Sequence, residues 1–331
     1  MLHIHNGDST ADKMRGARMP GEHFAFREAL ATGPTPRGLS AGEWLAARAN
    51  HLAGGGGLDV EDVKKELSRA YDALGNVWGR DEIILWFEHD LFCQINLIYL
   101  LNRLSNQAMG GAKLSLICVG EFPGREDFRG LGELSAEQMA SLFEARHEVT
   151  PAESSLATKA WEAYCSPDPE AVERLLGGDT SALPYLRGAL LQHLARFPSA
   201  RNGLGRAENK LLGLISNGHG QFASLCHAFF DAEPAYGLGD SQVWRDLERM
   251  ARAEHPLVVI GGPGDSVAPG SPQGIRKASF SVTETGKAVL DGSTDFVALN
   301  GIDLWLGGVH LDDRNAAWRW DERERKLRRP H

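Results

Sequence analysis

Residues 81–90, DEIILWFEHD, contain a continuous apolar run between charged residues. Such a run is typical of a strand that is covered on both faces of a sheet. A strongly apolar helical stretch, LFCQINLIYLLNRL, follows it, and LSLICVG at residues 114–120 repeats the strand pattern. Residues 2–5, LHIH, are a further short strand candidate. This alternation predicts a Rossmann-like α/β domain over residues 1–134, with a parallel sheet and crossover helices.

The rest of the chain has a different organisation. Residues 135–202 carry no strand pattern and are predicted to form a helical linker segment, with Ser135 and Thr150 at helix starts. From residue 203, three helical stretches precede two strand-like stretches, which is the element order of a winged helix. Residues 203–331 are therefore predicted to form a winged-helix-like α+β domain with a Trp- and Gly-rich tail.

Composition argues against several classes of protein. The net charge of −9 disfavours a large electrostatic surface for nucleic acid. No apolar run approaches the ~20 residues that span a bilayer. The N-terminus lacks the basic flank and long apolar core of a signal peptide. The four cysteines are far apart and fit reduced thiols better than disulfides or a zinc site. We expect a cytoplasmic protein with no membrane association.

Polar residues follow two of the predicted parallel strands at the point where each strand ends. Asn6-Gly7-Asp8-Ser9 comes after LHIH, and Glu88-His89-Asp90 comes after IILWF. Because ligands bind outside the carboxyl ends of parallel strands, we expect Asp8, Glu88 and Asp90 to converge as catalytic residues. The predicted ligand-binding residues around them are Asn6, Ser9, Arg27, Glu28, Gln94 and Arg129.

Three kinds of chemistry suit these residue types. Convergent carboxylates can hold a divalent metal ion, or one buried carboxylate beside another can act as a general base. The backbone N–H groups of Asp8, Ser9 and Thr10 at a helix start can bind a phosphate, with Arg129 opposite. The turn lacks both GxGxxG and GKS/GKT, so NAD and P-loop ATP are not indicated, and the cofactor stays unknown apart from a divalent metal. An ordinary helix N-cap at Asp8 is the simpler alternative.

The C-terminal part contains two further candidate sites. Asn300, Asp303 and His310 lie in ALNGIDLWLGGVH, where a polar turn after an apolar stretch repeats the pattern of residues 6–8. A tightly packed strand is the alternative explanation for the glycines of this stretch. The third helix of the winged-helix pattern carries Arg245 and Arg249, which are candidate DNA contacts. Acidic residues alternate with them, so a packing or partner-binding role for this helix is an equal alternative.

Several stretches resemble the bacterial DUF1835 domain-containing proteins. They are HIHNGDS, WFEHDLFCQ, FRGLGELS, DTSALPYL, FPSARNGLGRAE, ALNGIDLWLGGVHL and WRWD. The resemblance covers most of the chain and implies an N-terminal DUF1835 domain with a DUF3658-type region behind it. Because the function of that family is uncharacterised, the resemblance implies no catalytic assignment.

These patterns favour an enzyme, or an enzyme-like binder, of a phosphorylated or nucleotide-like small molecule in the crevice at the strand ends. A hydrolase or transferase acting on a phosphorylated substrate is the expected class. Two alternatives stay open. One is a ligand-sensing transcriptional regulator that binds DNA through the winged helix, and the other is a non-enzymatic interaction scaffold. A small molecule is the expected partner and DNA the weaker one, and the oligomeric state is left open.

Overall fold

The computed structural model describes residues 1–54, 58–262, 272–312 and 318–329. The chain divides into two compact units, and each is built from several segments. Unit 1 contains Met1–Ala31, Lys65–Cys165 and Ala171–Leu190, and unit 2 contains Thr32–Lys64, Ser166–Glu170 and Leu191–His331. This division differs from the predicted boundaries at residues 134 and 202, because a segment from the N-terminal part of the chain belongs to unit 2.

The helices and strands are numbered in chain order. The helices are α1 (Asp8–Gly16), α2 (Ala41–Ala53), α3 (Val60–Gly75), α4 (Leu91–Ser105), α5 (Ala136–Ser141), α6 (Pro151–Tyr164), α7 (Glu170–Leu176), α8 (Leu186–Leu194), α9 (Arg206–Ser216), α10 (Phe222–Ala232), α11 (Asp240–Arg252), α12 (Pro272–Lys277), α13 (Glu284–Asp291) and α14 (Phe296–Asn300). The strands are β1 (Leu2–His5), β2 (Glu22–Ala25), β3 (Gly33–Pro34), β4 (Glu82–Glu88), β5 (Lys113–Val119), β6 (His147–Glu148), β7 (Val258–Gly261), β8 (Ser279–Val282), β9 (Leu304–Gly307), β10 (Val309–Leu311), β11 (Arg319–Asp321) and β12 (Lys326–Arg328). Within the described ranges, none of the helices combines the length and the apolar character needed to cross a membrane.

The sheet of unit 1 is mixed and has the strand order β2-β1-β4-β5-β6. β1 pairs in parallel with β2 and β4, and β4 pairs in parallel with β5, whereas β5 and β6 are antiparallel. The predicted strands at β1, β4 and β5, and their parallel pairing, are confirmed. Residues 83–87 of β4 are fully buried, as expected for a continuous apolar strand inside a covered sheet. The fold of unit 1 is therefore α/β.

The two edge strands of this sheet carry little sequence signal. β2 has the sequence EHFA and lies at one edge, and β6 consists of the exposed residues His147 and Glu148 at the other edge. The expectation that residues 135–202 contain no strand is wrong at β6. Strand formation depends strongly on context, and a short polar segment pairs with an available edge without burying an apolar face of its own.

The predicted helix starts at Ser135 and Thr150 are confirmed. Ser135 caps α5 and Thr150 caps α6, and the side chains of Gln138 and Glu153 accept from the backbone N–H groups of the two cap residues. Each capping box satisfies N–H groups that a helix start otherwise leaves free, which contributes about 1 kcal/mol.

In unit 2, α9, α10 and α11 are followed by the antiparallel pair of β7 and β8, in the predicted order. β3 pairs in parallel with β9, which pairs antiparallel with β10, and β11 pairs with β12. The segment around β3 also bonds to Arg48 of α2, whose fully buried guanidinium donates to the carbonyl oxygens of Thr32 (2.6 Å) and Pro34 (3.3 Å). These contacts explain why residues 32–64 belong to unit 2.

Candidate functional site

The carboxyl ends of β1 and β4 lie side by side, because these strands are neighbours in the sheet of unit 1. Asn6 follows β1, and its Nδ2 donates to Sγ of Cys93 at 2.8 Å. The backbone N–H of Cys93 donates to Oδ1 of Asp90 at 2.8 Å, so Asp90 caps α4. The ends of the two strands are thus joined by side-chain bonds. We call Asn6, Glu88, Asp90, Cys93 and Gln94 the strand-end cluster.

The carboxyl group of Glu88 has a strongly raised pKa. Its Oε1 accepts from the backbone N–H of Leu131 at 2.9 Å. A Cβ at Gly130 would overlap its carboxyl group, so the glycine allows the loop to approach this closely. Burial, followed by the charge of Asp90, raises the pKa of Glu88 to about 8. The carboxyl group therefore holds a proton at neutral pH and can donate it.

Asp90 and Gln94 complete the polar part of the cluster. Burial raises the pKa of Asp90, although the backbone N–H of Cys93 acts in the opposite direction. Nε2 of Gln94 donates to the carbonyl oxygen of Glu88 at 2.7 Å and to Sγ of Cys118 at 3.3 Å. These bonds hold the end of β4 and the start of α4 in one arrangement.

His89 lies between the two carboxyl groups in sequence. Its ring meets the ring of Tyr185 edge-on, with a centroid distance of 6.1 Å. Its Nδ1 is buried and has no hydrogen-bond partner among the residues that the structure describes. Since nearly all buried polar atoms in native proteins are bonded, this nitrogen is available to a ligand or a water molecule.

A metal ion is a second chemical possibility for the cluster. Glu88, Asp90 and Cys93 each offer one ligand atom, and these atoms lie within 4.8 Å of one another. Two carboxylate oxygens and a sulfur suit zinc better than magnesium. Burial, followed by Asp90, raises the pKa of Cys93 well above its ordinary range, so a metal would have to displace the thiol proton. The arrangement therefore fits an acid–base pair of carboxyl groups better than a ready metal centre.

Asp8 has a different environment from the one predicted. It is exposed at the start of α1, and its two carboxylate oxygens accept from Nη2 and Nε of Arg27 at 2.8 Å each. Arg27 accordingly lowers the pKa of Asp8. No bond in the described part of the chain joins Asp8 to Glu88 or Asp90, and Asn6 makes the connection between the strands instead. Ser9 is exposed beside the same loop as Glu88, 3.8 Å from where a Cβ at Gly132 would lie.

Glu28 and Arg129 are the remaining residues predicted for this site. Glu28 is buried, and its carboxylate accepts from Oη of Tyr71 at 2.5 Å and from the backbone N–H of Ala29 at 3.0 Å. Arg129 is exposed, and its backbone N–H donates to Glu133 at 3.3 Å. The Glu28 carboxylate therefore joins the segment after β2 to α3, and the side chain of Arg129 is exposed.

Gly130→Ala is expected to disturb Glu88 directly. The added methyl group would push the Glu88 carboxyl group away from the N–H of Leu131, and overpacking of this kind costs about 1–3 kcal/mol. Urea unfolding of the two proteins measures the loss. Gly132→Ala is the control in the same loop, because its methyl group would make only an ordinary 3.8 Å contact with Ser9. Equal stabilities of the two variants would contradict the described position of Glu88.

Unit 2 contains a cavity of 280 Å³ that the sequence did not predict. Charged, polar and apolar side chains all line it. The polar residues are His51, Arg196, Glu208, Gln242, Arg245, Asp246, Arg249 and Asp303, and the apolar ones include Pro34, Ala207, Leu238, Leu304, Trp305 and Leu306.

Arg245 and Arg249, the candidate DNA contacts, both line this cavity. Nη1 of Arg245 donates to Nε2 of His51 at 3.0 Å, and Arg249 forms an ion pair with Glu208. Both arginine side chains are partly buried. They are therefore engaged inside unit 2 and do not project from a free helix surface, which a DNA-reading helix requires.

The residues of the second predicted site also lie in unit 2. Nε2 of His310 bonds to Oδ1 of Asp303 at 2.7 Å, and the His310 ring stacks on Trp305 at 4.4 Å. Oδ1 of Asn300 accepts from the backbone N–H of His255 at 2.7 Å. Asn300 and Asp303 line a second cavity of 420 Å³, but His310 does not bond to Asn300. The structure thus brings Asp303 and His310 together and gives Asn300 a separate backbone role.

One feature of this cavity has a recognisable pattern in the sequence. Arg245 and Arg249 are one helical turn apart, which puts them on one face of α11. The buried Arg48 and the glycine at Gly33 show no such signal, because their partners come from other segments of the chain. His51 was missed for the same reason, since its contacts are to Thr32 and Arg245.

No family model matches this chain, and no curated protein matches it. Among solved structures, it is similar to the crystal structure of Plasmodium falciparum topoisomerase II DNA-binding, cleavage and re-ligation domain, with 12% identity and a TM-score of 0.44. The similarity covers 99% of this chain and 54% of the topoisomerase chain, so this chain spans about half the length of the topoisomerase chain. At this level the similarity carries no argument about function.

Proposed function

We propose that unit 1 binds a small phosphorylated or nucleotide-like molecule at the strand-end cluster and acts on it as an enzyme. The observation that carries this proposal is the bonded set of Asn6, Cys93 and Asp90 beside a half-buried Glu88 whose pKa is raised. This set lies at the carboxyl ends of two neighbouring parallel strands, where open sheets bind ligands. Buried groups with altered pKa values are concentrated at functional sites.

Glu88 is the proposed general acid. Because its pKa is raised to about 8, its carboxyl group can give a proton to a leaving oxygen at neutral pH. Asp90 disfavours ionisation of Glu88, since two negative charges so close together repel each other. This pairing supports a hydrolase or transferase acting on a phosphorylated substrate.

The start of α1 is the proposed position of the phosphate group. Gly7 is the N-cap of this helix and makes no side-chain cap bond, so no cap side chain competes for its first N–H groups. Arg27 is held at the same turn by its two-nitrogen contact with Asp8. The N–H groups of a helix start together with an arginine are a common arrangement for phosphate.

We also infer that the sheet of unit 1 is Rossmann-like and that α9–α11 with β7 and β8 form a winged-helix-like group. The parallel pairing supports the first inference, and the element order supports the second. The quoted motifs support membership of the DUF1835 family, and the charge and cysteine pattern supports a cytoplasmic location. A DNA-binding regulator has less support, because Arg245 and Arg249 are engaged inside unit 2.

Glu88→Gln is expected to slow turnover of a phosphorylated substrate strongly and to retain most of the binding. Glutamine keeps the size of the side chain and an acceptor for the Leu131 N–H, but it cannot act as the acid. Loss of a general acid lowers the rate by about 10²–10⁴-fold. Phosphate release from ADP, ribose 5-phosphate and p-nitrophenyl phosphate measures turnover, and isothermal titration calorimetry measures binding. The wild-type rate should fall as the pH rises through about 8.

Glu82→Gln is the matched control, because Glu82 lies at the opposite end of β4 and bonds to Ser115 and Arg146. It should leave both turnover and binding unchanged. Equal turnover by Glu88→Gln and the wild type would contradict the proposal. So would a wild-type protein that binds none of the three probes.

A further inference from the structure

Arg245 of α11 is a partly buried cation in the wall of the 280 Å³ cavity of unit 2. Its Nη1 donates to Nε2 of His51 at 3.0 Å, and its Nη2 donates to the carbonyl oxygen of Leu52 at 3.1 Å. Both acceptors are neutral. The carbonyl oxygen carries no charge, and burial, followed by Arg48, lowers the pKa of His51 to about 3. Nε of Arg245 is buried without a hydrogen-bond partner, and within the described ranges Arg245 forms no ion pair.

Within the described ranges, none of the neighbouring carboxylates is close enough to Arg245 to form an ion pair with it. Arg249 lies one turn along the same helix, is paired with Glu208, and also has a buried Nε without a partner in the described structure. Burial, followed by Arg48, lowers the pKa of Arg245, whereas the charges of Asp246 and Glu248 act in the opposite direction. Burial raises the pKa of Asp246, against the attraction of Arg196 and Arg245. Like charges at i and i+4 destabilise a helix, and an unpaired buried charge is costly. The cavity therefore favours a ligand that brings a negative group.

Apolar side chains also line the cavity. Trp305 lies there with Leu238, Leu304 and Leu306, and its ring is held flat against His310, with an interplanar angle of 4°. The volume of 280 Å³ is at the small end of ligand sites, which occupy roughly 300–1,000 Å³. A free inorganic ion would leave this apolar wall without a partner, and an uncharged molecule would leave Arg245 without one.

We propose that this cavity binds a small organic anion. Its carboxylate or phosphate group pairs with Arg245, and its aromatic or aliphatic body packs against Trp305 and the leucines. The site is distinct from the strand-end cluster of unit 1, and this proposal does not rest on the function proposed for that cluster.

Four probes test the ligand class by isothermal titration calorimetry with the full chain. Benzoate and phenyl phosphate combine a ring with an anionic group, whereas benzyl alcohol lacks the charge and inorganic phosphate lacks the ring. We expect at least one of the two aromatic anions to bind about tenfold or more tightly than either incomplete probe. The comparison of benzoate with phenyl phosphate identifies the preferred anionic group.

Arg245→Gln is expected to weaken binding of the better anion by about thirtyfold or more, as removal of a buried charged partner does. The thermal midpoint of the ligand-free variant should stay equal or rise, because an unpaired charge has been removed; a purely structural arginine would lower it. Arg252→Gln is the control on the same helix, since Arg252 is 73% exposed and paired with Glu248. It should bind as the wild type does.

Three results would overturn the proposal. They are a wild-type protein that binds neither aromatic anion, an incomplete probe that binds as tightly as both aromatic anions, and an Arg245→Gln variant with wild-type affinity. Arg27→Gln, which removes the arginine from the phosphate position proposed for unit 1, should bind benzoate with the affinity of the wild type. This last measurement separates a failure of the cavity proposal from a failure of the function proposed for unit 1.

Discussion

We expect the imidazoles of His3 and His5 to stay neutral in the folded protein to a pH well below their ordinary pKa of 6.5. Both side chains are fully buried in β1, and Nε2 of His5 bonds to Nδ1 of His23 at 3.0 Å. Burial is the largest cause of the lowered pKa in each case, and it lowers the pKa of His3 to about 4 and that of His5 to about 3. Two-dimensional NMR of the imidazole groups measures these pKa values directly, with the exposed His227 as an internal reference.

Acidification should therefore destabilise unit 1. The unfolded chain takes up a proton at each histidine near pH 6.5, whereas the folded chain does not until about pH 4 at His3 and about pH 3 at His5. The stability is fully present above pH 6.5 and is lost as the pH falls. At ~1.4 kcal/mol per pH unit, each histidine lowers the free energy of unfolding by about 2 kcal/mol between about pH 6.5 and pH 5.

Glu88 acts in the opposite direction over the same range. Its pKa is raised to about 8, so its contribution to stability is present below pH 4.5 and is lost as the pH rises through 8. Glu88→Gln removes this contribution and should make the loss of stability on acidification steeper. Hydrogen exchange of the β1 amides, corrected for the intrinsic rate, measures the local free energy. Imidazole pKa values near 6.5 at both positions would contradict the burial of this histidine pair.

The strands with continuous apolar sequence were predictable, because burial on both faces requires it. IILWF became β4 and LSLICV became part of β5, in parallel and adjacent. β2 and β6 were not predictable in the same way, since edge strands form by pairing with a neighbour and carry few apolar residues of their own. Sequence alone thus predicts the centre of this sheet better than its edges.

Prediction from the sequence is limited in the same way for the side chains of the candidate site. The pairing of the ends of β1 and β4 follows from the strand pattern, and it brings Asn6 to the residues after β4. It does not determine which side chain of Asn6-Gly7-Asp8 faces the neighbouring strand, and Asp8 instead pairs with Arg27. The hydrogen bond of Arg245 was even less predictable, because its partner His51 is 194 residues away in the chain. Contacts of that separation leave no local pattern.

Gly33→Ala is expected to destabilise unit 2 by about 2–5 kcal/mol. Gly33 has a φ of +72°, a conformation that costs a residue with a Cβ about 1–2 kcal/mol. A methyl group at this position would also overlap the ring of His51, and overpacking adds about 1–3 kcal/mol. Because His51 is the acceptor for Arg245, displacement of its ring should also weaken binding of the aromatic anion. Urea unfolding and calorimetry with benzoate and phenyl phosphate measure the two effects.

Gly38→Ala separates the two causes. Gly38 has a φ of +82°, close to that of Gly33, but no atom lies within 4 Å of the position that its Cβ would occupy. It should therefore show only the conformational cost, of about 1–2 kcal/mol, and normal binding of the anion. Both glycines belong to one turn-rich stretch, GPTPRG, and the sequence alone does not indicate which of them is packed against another side chain. Equal losses of stability in the two variants would mean that the His51 ring does not pack on Gly33, whereas a larger loss at Gly33 alone ties this turn to the wall of the cavity.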